Sequence, residues 1–409
     1  MLPNPLARFF GRSAPDDPTP SPHHGGGGLA LVMPGGGARA AYQAGVVRGL
    51  VRHVPALRPR ILTGVSAGAL NAAFLAASCD RSLRAAADDL VRTWEELTAE
   101  HVFRLDRPSV AGALARLARR ASPDEDPLAH GGLLDTTPLR DFVERHLGPC
   151  GMPAAGIRRA LDGGHLHAFA LTTTSYTTGE SVTWVQGAAA EPWDRPERRA
   201  VCTQIAPEHV LASSALPFFF PAVPIDDPQL GRAWYGDGGV RLTAPLSPAL
   251  HLGADRIVVI NTRYGRSSEE AAAGGLAGYP GTGQVLGVLM NAVFLDVIDR
   301  DAQTLRRINA LLEVVPPEHR GGFRPVDLLV IRPSVDLARL AEGYEARLPP
   351  SMRLLLGRIG EGRAPDWLSM LLFDPAYMRA IVEIGERDAA AQAETVQAFL
   401  ERPPGQVAR

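Results

Sequence analysis

The sequence contains no lysine, and all 42 of its basic residues are arginine. A Schiff-base mechanism and a serine–lysine dyad are therefore excluded within this chain, because both need a lysine amine. Cysteine is also scarce, with Cys79, Cys150 and Cys202 far apart in the sequence. An odd number of isolated cysteines indicates reduced thiols and argues against a disulfide framework or a zinc site.

An excess of charge of either sign is missing as well. The chain has 42 basic and 44 acidic residues and a formal net charge of −2, which gives no electrostatic reason to expect nucleic-acid binding. Hydrophobic residues make up 45% of the chain and charged residues 21%. This composition suits a folded protein with a large core and is unlike that of a disordered chain.

Long apolar runs are absent too. The best candidate for a membrane span, residues 61–78, contains Thr63, Ser66, Asn71 and two glycines, so a buried strand followed by a helix explains it better. The first residues are interrupted by prolines and an arginine and are not followed by the apolar segment of a signal peptide. We therefore expect a cytoplasmic protein without a transmembrane helix, in contact with membranes only peripherally.

Composition and pattern divide the chain into three parts. Residues 1–28, rich in proline, glycine, serine and histidine, are predicted to be a disordered lead-in. Residues 29–265 alternate strand and helix patterns, which predicts an α/β domain with a mostly parallel sheet. Residues 266–409 are predicted to be a mainly helical extension packed on that domain, with one further strand at 326–331.

Within these parts, LALVM at 29–33 predicts a buried strand, and residues 165–173 and 181–185 predict a hairpin. Helices are predicted at 38–53, 82–97, 108–120, 198–205, 207–216, 284–314 and 375–400. The helix at 108–120 has leucines opposite arginines, which fits a solvated basic face better than an interfacial lid. Three adjacent aromatics at 218–220 fit an acyl pocket, a membrane contact or core packing, and core packing is favoured because the three cannot all face the same way.

The strongest candidate for chemistry is the GVSAG segment at 64–68. It follows a short apolar strand pattern and precedes a helical one, so it predicts a sharp strand-to-helix turn with Ser66 at the bend. Small residues two positions before and after the serine, Gly64 and Gly68, allow that turn and leave the hydroxyl accessible. Ser66 is therefore the candidate nucleophile, although an ordinary glycine-rich turn has the same pattern.

A run of three glycines, Gly35, Gly36 and Gly37, lies between a predicted strand and a predicted helix about 30 residues before Ser66. Successive glycines let backbone N–H groups converge at a helix N-terminus, where they can stabilise an oxyanion. The same geometry binds phosphates, which leaves a nucleotide site as an alternative. Against that alternative, the glycines are not followed by Gly-Lys-Ser/Thr, and Ala40 occupies the last glycine position of G-x-G-x-x-G.

Asp237 lies at the end of a predicted strand and is followed by Gly238 and Gly239. A carboxylate within hydrogen-bond reach of a serine hydroxyl can orient it and accept its proton, and flanking glycines permit close approach. A solvent-exposed aspartate in a turn is the alternative explanation of this short motif.

Taken together, these segments resemble the patatin-like phospholipases. The resemblance rests on GGGARAAYQAG at 35–45, GVSAG at 64–68, LASSALPFFFP at 211–221 and YGDGG at 235–239. It implies a three-layer α/β/α fold and a serine–aspartate dyad of Ser66 and Asp237, with no metal or cofactor. It further implies an oxyanion loop and supporting positions at Gly35, Gly36, Gly37, Arg39, Gly64, Gly68, Gly238 and Gly239.

Two positions depart from the family pattern. Pro34 stands where an acidic residue is common, and Ala40 stands where glycine is usual. Since alanine is the smallest replacement for glycine, we expect a slightly altered loop and retained activity. Beyond about residue 265 the resemblance includes no catalytic motif.

The resemblance implies a lipid acyl hydrolase, a phospholipase A, lysophospholipase or esterase, acting on a lipid or fatty-acyl ester at a membrane or micelle surface. One alternative is an α/β-hydrolase with a Ser-Asp-His triad, whose histidine would be His251 or His319. Another alternative is a catalytically silent lipid-binding or scaffolding protein. The sequence leaves the substrate open among phospholipids, lysophospholipids, neutral esters and thioesters.

Overall fold

A computed structural model describes residues 28–104, 132, 134–187, 192–267, 269–270, 288–289, 291–294, 296–348 and 365–403. Two sequence-based predictions fall wholly or largely outside these residues: the lead-in at 1–28 and the helix at 108–120.

The secondary structure follows the predicted alternation of strands and helices. The strands are β1 (Leu29–Met33), β2 (Pro59–Val65), β3 (Ala168–Ser175), β4 (Ser181–Gly187), β5 (Asp194–Arg195), β6 (Arg198–Cys202), β7 (Val223–Asp227), β8 (Gly231–Asp237), β9 (Arg256–Ile260) and β10 (Asp327–Ile331). The helices are α1 (Ala41–His53), α2 (Ala67–Ser78), α3 (Leu83–Glu96), α4 (Ala99–Val102), α5 (Thr137–Leu147), α6 (Ala155–Asp162), α7 (Pro207–Ser213), α8 (Ser247–His251), α9 (Val297–Val314), α10 (Leu337–Glu342), α11 (Pro365–Leu371), α12 (Pro375–Ala391) and α13 (Ala393–Glu401).

All of these strands belong to one sheet, in the order β10-β9-β1-β2-β3-β4-β6-β5, with β8 added to β3 and β7 added to β8. The strands from β10 to β3 run parallel, while β3 and β4 form the predicted antiparallel hairpin. Every residue of β1 is buried, as expected for a parallel strand covered on both faces.

Helices cover both faces of the sheet. On one face, α1, α2 and α12 pack on Leu31, Met33 and Leu62. On the other face, α8 and α9 pack on alternate residues of the same strands, including Ala30 and Val32. This arrangement confirms the predicted three-layer α/β/α class. None of the described helices is long and apolar enough to cross a membrane.

The described C-terminal elements share the sheet and the core with the N-terminal ones. Strand β10 pairs in parallel with β9, and α12 lies directly against α1. The two helices can approach closely because Gly45 and Gly385 have no Cβ. A Cβ at either position would collide with the backbone of the facing helix. A buried hydrogen bond of 3.0 Å from the Tyr42 hydroxyl to Asp388 joins the same helices.

Two predicted helices differ in the structure. The sequence pattern predicts a helix at 198–205, but Arg198–Cys202 form strand β6 because the free edge of β4 supplies backbone partners that the local pattern does not reveal. The helix predicted at 284–314 is not continuous: α9 begins at Val297, after a bend at Asp296 whose carboxylate pairs with Arg263 at 2.9 Å.

Candidate active site

The chain passes from β2 into α2 through Ser66. The backbone of Ser66 has φ 55° and ψ −136°, which is uncommon for a residue other than glycine. A Cβ at Gly64 would collide with the backbone of Gly68, and one at Gly68 would collide with the carbonyl of Met33. The elbow therefore needs both glycines, and it places the Ser66 hydroxyl at the carboxyl edge of the parallel strands.

Ser66 and Asp237 meet because the carboxyl ends of β2 and β8 face each other along β3. Val65, the last residue of β2, pairs with Thr172 of β3, and Asp237, the last residue of β8, pairs with Thr173. The Ser66 hydroxyl donates a hydrogen bond of 2.6 Å to Oδ2 of Asp237. The structure thus brings together two residues that are 171 positions apart.

The carboxylate of Asp237 is completely buried. Its other oxygen, Oδ1, accepts a hydrogen bond of 2.8 Å from the backbone N–H of Gly239. Burial raises the pKa of Asp237 to about 7, while the hydrogen bonds from Ser66 and Gly239 act in the opposite direction. A carboxylate with a pKa near neutrality can accept a proton and return it at the same pH.

The two glycines after Asp237 are required by packing. A Cβ at Gly238 would collide with the carbonyl of Thr172, and one at Gly239 would collide with the ring of Phe294. These contacts explain why a DGG motif follows the strand, and they exclude the solvent-exposed turn that the sequence left open.

Gly35, Gly36 and Gly37 lie against the elbow. A Cβ at Gly35 would lie 2.9 Å from the Cβ of Ser66, so any side chain there would displace the serine. Gly37 has φ 56°, a left-handed conformation that glycine adopts without strain. The hydroxyl of Thr262 donates a hydrogen bond of 2.9 Å to the Gly35 carbonyl and holds the loop from the side of β9.

A 3₁₀ turn at Gly37–Ala40 leads from this loop directly into α1. The first N–H groups of such a turn have no acceptor within it, so they are available to a negatively charged oxygen. Ala40 has helical backbone angles, φ −66° and ψ −13°, and is fully buried. Its departure from the family's glycine therefore introduces no backbone strain.

Sequence reasoning missed two serines that hold the elbow in place. The Ser66 N–H donates a hydrogen bond of 3.0 Å to the hydroxyl of Ser213, which donates in turn to the Thr172 carbonyl at 2.7 Å. The hydroxyl of Ser214 lies 3.1 Å from the Ser66 carbonyl. Both serines are in the LASSALPFFFP segment, but a local pattern does not distinguish a buried serine from an exposed one.

A buried polar chain behind the glycine loop was also missed. Gln43 Nε2 donates to the Pro34 carbonyl at 2.8 Å, and Asn71 Nδ2 donates to Gln43 Oε1 at 2.9 Å. Trp94 Nε1 completes the chain with a hydrogen bond of 2.7 Å to Asn71 Oδ1. These bonds fix the glycine loop relative to α1, α2 and α3.

Arg39 links the glycine loop to the C-terminal part of the chain. Its side chain is buried, and Nε donates a hydrogen bond of 2.7 Å to the hydroxyl of Ser369 in α11. The next residue, Met370, places its backbone carbonyl directly against Gly37. The C-terminal segment therefore borders the loop that the sequence assigns to the oxyanion.

An apolar cavity extends from Ser66 along α2. No charged side chain lies in the part of its wall that the described residues form, which consists mainly of Leu70, Phe74, Leu90, Trp94, Leu97, Val102, Leu139, Phe142, Leu216, Phe220, Met370, Leu371 and Phe373. Phe74 follows Ser66 by eight residues, so the cavity is roughly 12 Å long along the helix axis. These dimensions and this lining suit a fatty-acyl chain.

The three adjacent phenylalanines have three different environments. Phe219 is buried in the core, Phe220 lines the apolar cavity, and Phe218 is 65% exposed. Phe218 also has φ 69°, a left-handed conformation that is rare for an aromatic residue. Core packing, the favoured prediction, thus applies to Phe219 and Phe220 and not to Phe218.

The histidines proposed for a triad lie apart from the candidate dyad. His251 stacks on Trp193, with ring centroids 4.5 Å apart. His319 is exposed in the short turn at Pro317–His319. Among the described residues, no histidine hydrogen-bonds to the Ser66 hydroxyl or the Asp237 carboxylate.

The chain is similar to known proteins in sequence and in structure. The Patatin-like phospholipase family model matches residues 31–250, whereas no curated protein sequence matches the chain. VipD from Legionella pneumophila is 15% identical, with a TM-score of 0.34 and coverage of 93% of each chain. Human GIVD cytosolic phospholipase A2 is 12% identical, with a TM-score of 0.44.

The alignment with the human enzyme covers 91% of this chain but only 59% of that one. At these identities and TM-scores neither structure adds to the argument from the family model. That model covers more than half of the 409 residues, including the elbow, the glycine loop and Asp237. The chain therefore belongs to the patatin-like phospholipase family.

Proposed function

We propose that this protein is a lipid acyl hydrolase that cleaves carboxylic esters through an acyl-enzyme on Ser66. The observation that carries the proposal is the 2.6 Å hydrogen bond between Ser66 and the buried Asp237, formed where an apolar cavity begins. Family membership supports lipid acyl hydrolysis in general, and the residues and mechanism given below are our proposal.

In the proposed mechanism, the Ser66 hydroxyl attacks the ester carbonyl and transfers its proton to Asp237. The alcohol takes that proton as it leaves, and the acyl group remains bonded to Ser66 Oγ. Water then attacks the acyl-enzyme while Asp237 again accepts a proton, which returns to Ser66 as the fatty acid is released. A pKa near 7 suits a group that must both accept and donate a proton.

The glycine loop is the proposed oxyanion hole. The N–H groups at the start of the Gly37–Ala40 turn lack partners within the turn, and Gly35 lies so close to Ser66 that a Cβ on it would be 2.9 Å from the Cβ of the serine. Because α1 follows at once, its dipole adds positive potential at the same place. Donors fixed before the reaction stabilise the developing charge without reorganisation.

We further propose that residues 29–265 are the catalytic domain and that the C-terminal region completes its acyl site. Met370, Leu371 and Phe373 contribute to the wall of the apolar cavity. The acyl chain would lie along α2, with its carbonyl carbon next to Ser66. The substrate would enter from a membrane or micelle, so the protein would contact membranes peripherally.

The test is hydrolysis of a lipid panel by the wild type beside Ser66→Ala and Asp237→Asn. We expect both variants to lose activity by at least about a thousandfold while remaining folded. A fluorophosphonate probe should label the wild type on Ser66 and leave Ser66→Ala unlabelled. Retention of wild-type rates by both variants would show that the site is assigned wrongly.

The alternatives give different results in the same assays. A Ser-Asp-His triad predicts near-complete loss of activity in His251→Gln or His319→Gln, whereas the dyad predicts little change. A catalytically silent lipid-binding protein would bind a lipid probe without hydrolysing it and without fluorophosphonate labelling. The contacts of His251 with Trp193 favour the dyad.

A further inference from the structure

A polar recess lies on the face of the sheet opposite the apolar cavity. We call it the arginine recess, because Arg195 and Arg198 line it together with the hydroxyl groups of Ser181 and Thr183 and the ring of His251. Among the described residues no carboxylate lines it, so its local charge is positive. Neither the proposed mechanism nor the family motifs use these residues.

The arginine recess lies beside the candidate dyad. Across the sheet, Val65 at the end of β2 pairs with Thr172, which pairs with Thr183 of the recess. At about 4.8 Å per strand, Thr183 is roughly 10 Å from the elbow, and Arg198 on β6 is roughly 15 Å from it. An extended arginine side chain at position 198 can span much of the distance between β6 and the elbow.

A second pocket has one wall residue in common with the arginine recess. This small apolar pocket borders Ser66, Gly35, Gly239 and Phe294, and it shares Leu242 with the arginine recess. Ser66 therefore borders both the apolar acyl cavity and this small pocket, and Leu242 of the small pocket also forms part of the recess that holds the two guanidinium groups. An ester bound at Ser66 would direct its acyl chain to one face and its alcohol portion to the other.

Arg198 is suited to bind an anion. Among the described residues, its guanidinium has no hydrogen-bond or ion-pair partner, and it interacts electrostatically with the partly buried Asp301. The carboxylate of Asp301 already accepts a hydrogen bond of 2.8 Å from the Leu246 N–H. The neighbouring Arg199, in contrast, pairs with Glu180 at 2.7 Å.

We propose that the arginine recess binds the phosphate group of the lipid substrate. This inference rests on the proposed hydrolysis at Ser66 and narrows its substrate class to phospholipids and lysophospholipids. Guanidinium groups and hydroxyls are the donors that bind phosphate oxygens well. The phosphate of a glycerophospholipid lies on the alcohol side of the cleaved ester, which is the side of the recess.

The test compares a lysophospholipid with a monoacylglycerol of the same acyl chain, both presented as monomers. In Arg198→Gln, we expect KM for the lysophospholipid to rise at least about tenfold more than KM for the monoacylglycerol. Arg195→Gln should act in the same direction. Arg199→Gln is the matched control, because it changes an arginine of the same strand outside the recess, and it should leave the ratio of the two KM values unchanged.

The other outcomes overturn the proposal. Equal effects of Arg198→Gln on both substrates, or the same selectivity loss in Arg199→Gln, would show that the recess does not recognise phosphate in the substrate. Inorganic phosphate should compete with the lysophospholipid, and purely noncompetitive inhibition of both substrates would indicate a separate site for free phosphate. Cleavage of the monoacylglycerol alone would overturn this inference and leave the proposed function intact, whereas failure to cleave any ester would overturn the proposed function itself.

Discussion

At the scale of single residues, Asp237 combines complete burial with an ionisable group. Its carboxylate has one hydroxyl and one N–H as partners, and burial raises its pKa to about 7 from an ordinary value near 4. Because the folded-state pKa lies above the unfolded one, the protonated form is favoured by folding. The contribution of this group to stability is fully present below about pH 4 and is lost as the pH rises through about 7.

Replacing Asp237 by asparagine should therefore separate stability from activity. The amide of Asp237→Asn can donate to Ser66 and accept from Gly239, so both hydrogen bonds are retained without the charge. We expect activity to fall by about 10³- to 10⁴-fold, and the free energy of unfolding to exceed that of the wild type by a few kcal/mol near pH 8. Urea unfolding at several pH values measures the second effect.

The stability difference should shrink as the pH falls towards about 4, where wild-type Asp237 is itself protonated. In the wild type, kcat/KM should rise with pH along an acid limb centred near 7. An asparagine variant that is less stable than the wild type at every pH would contradict the conclusion that burial destabilises the charged form of Asp237.

At the scale of secondary-structure elements, α11 acts on the glycine loop through Ser369. Ser369→Ala removes the 2.7 Å hydrogen bond from buried Arg39, and we expect stability to fall by about 1–3 kcal/mol. Because Arg39 follows the glycine loop directly, kcat should also fall, with KM for a soluble ester nearly unchanged. Steady-state kinetics at a temperature where the variant is folded measure this split.

Tyr42→Phe is the matched control for Ser369→Ala. It removes another buried hydrogen bond between the N- and C-terminal parts, the 3.0 Å bond to Asp388, which lies farther from the loop. Stability should fall by a similar amount while kcat stays at the wild-type value. Equal kcat values for the two variants would mean that α11 supports the fold without positioning the loop.

The helices α2 and α3 form the end of the apolar cavity that lies farther from Ser66, and under the proposed function they would limit the length of the acyl chain. Leu90 of α3 is 3% exposed and lines the cavity near Phe74, at the end farther from Ser66. Leu90→Trp should fill that end and shift the preference from long to short p-nitrophenyl esters by about tenfold or more. The measurement is kcat/KM across esters of increasing chain length.

Leu90→Met is the control, because it keeps the volume of the side chain and should leave the chain-length profile unchanged. The larger tryptophan can also lower stability by about 1–3 kcal/mol. For each variant, kcat/KM for the long esters is therefore expressed relative to kcat/KM for the shortest ester. An unchanged profile in Leu90→Trp would place the acyl chain elsewhere.

At the scale of the whole molecule, Phe218 presents an exposed aromatic ring two residues before Phe220 of the cavity wall. Phe218→Gly removes the ring and permits the left-handed backbone, so stability should change by no more than about 1 kcal/mol. If the protein works at a lipid surface through this ring, hydrolysis of vesicle lipids should fall several-fold while hydrolysis of a monomeric ester is unaffected.

Phe218→Trp tests the same surface in the opposite direction. Tryptophan favours membrane interfaces, so this variant should hydrolyse vesicle lipids at least as fast as the wild type. Equal rates on vesicles for Phe218→Gly and the wild type would exclude this ring from lipid contact.

The sequence by itself determined the candidate nucleophile and its surroundings. A sharp turn before a helix and a close approach of two backbones both require glycine locally, so GVSAG and YGDGG mark positions that the structure confirms as buried, crowded turns. The order of strands and helices in the three-layer fold was also readable, because hydrophobic periodicity depends on neighbouring residues.

Tertiary structure alone decided which distant residues complete the site. Ser213 supports the elbow across 147 positions, and Ser369 supports the glycine loop across 330. Likewise, Arg198–Cys202 became a strand because β4 offered it an edge. Hydrogen bonds and packing between residues far apart depend on how the sheet orders its strands, and no local pattern specifies that order.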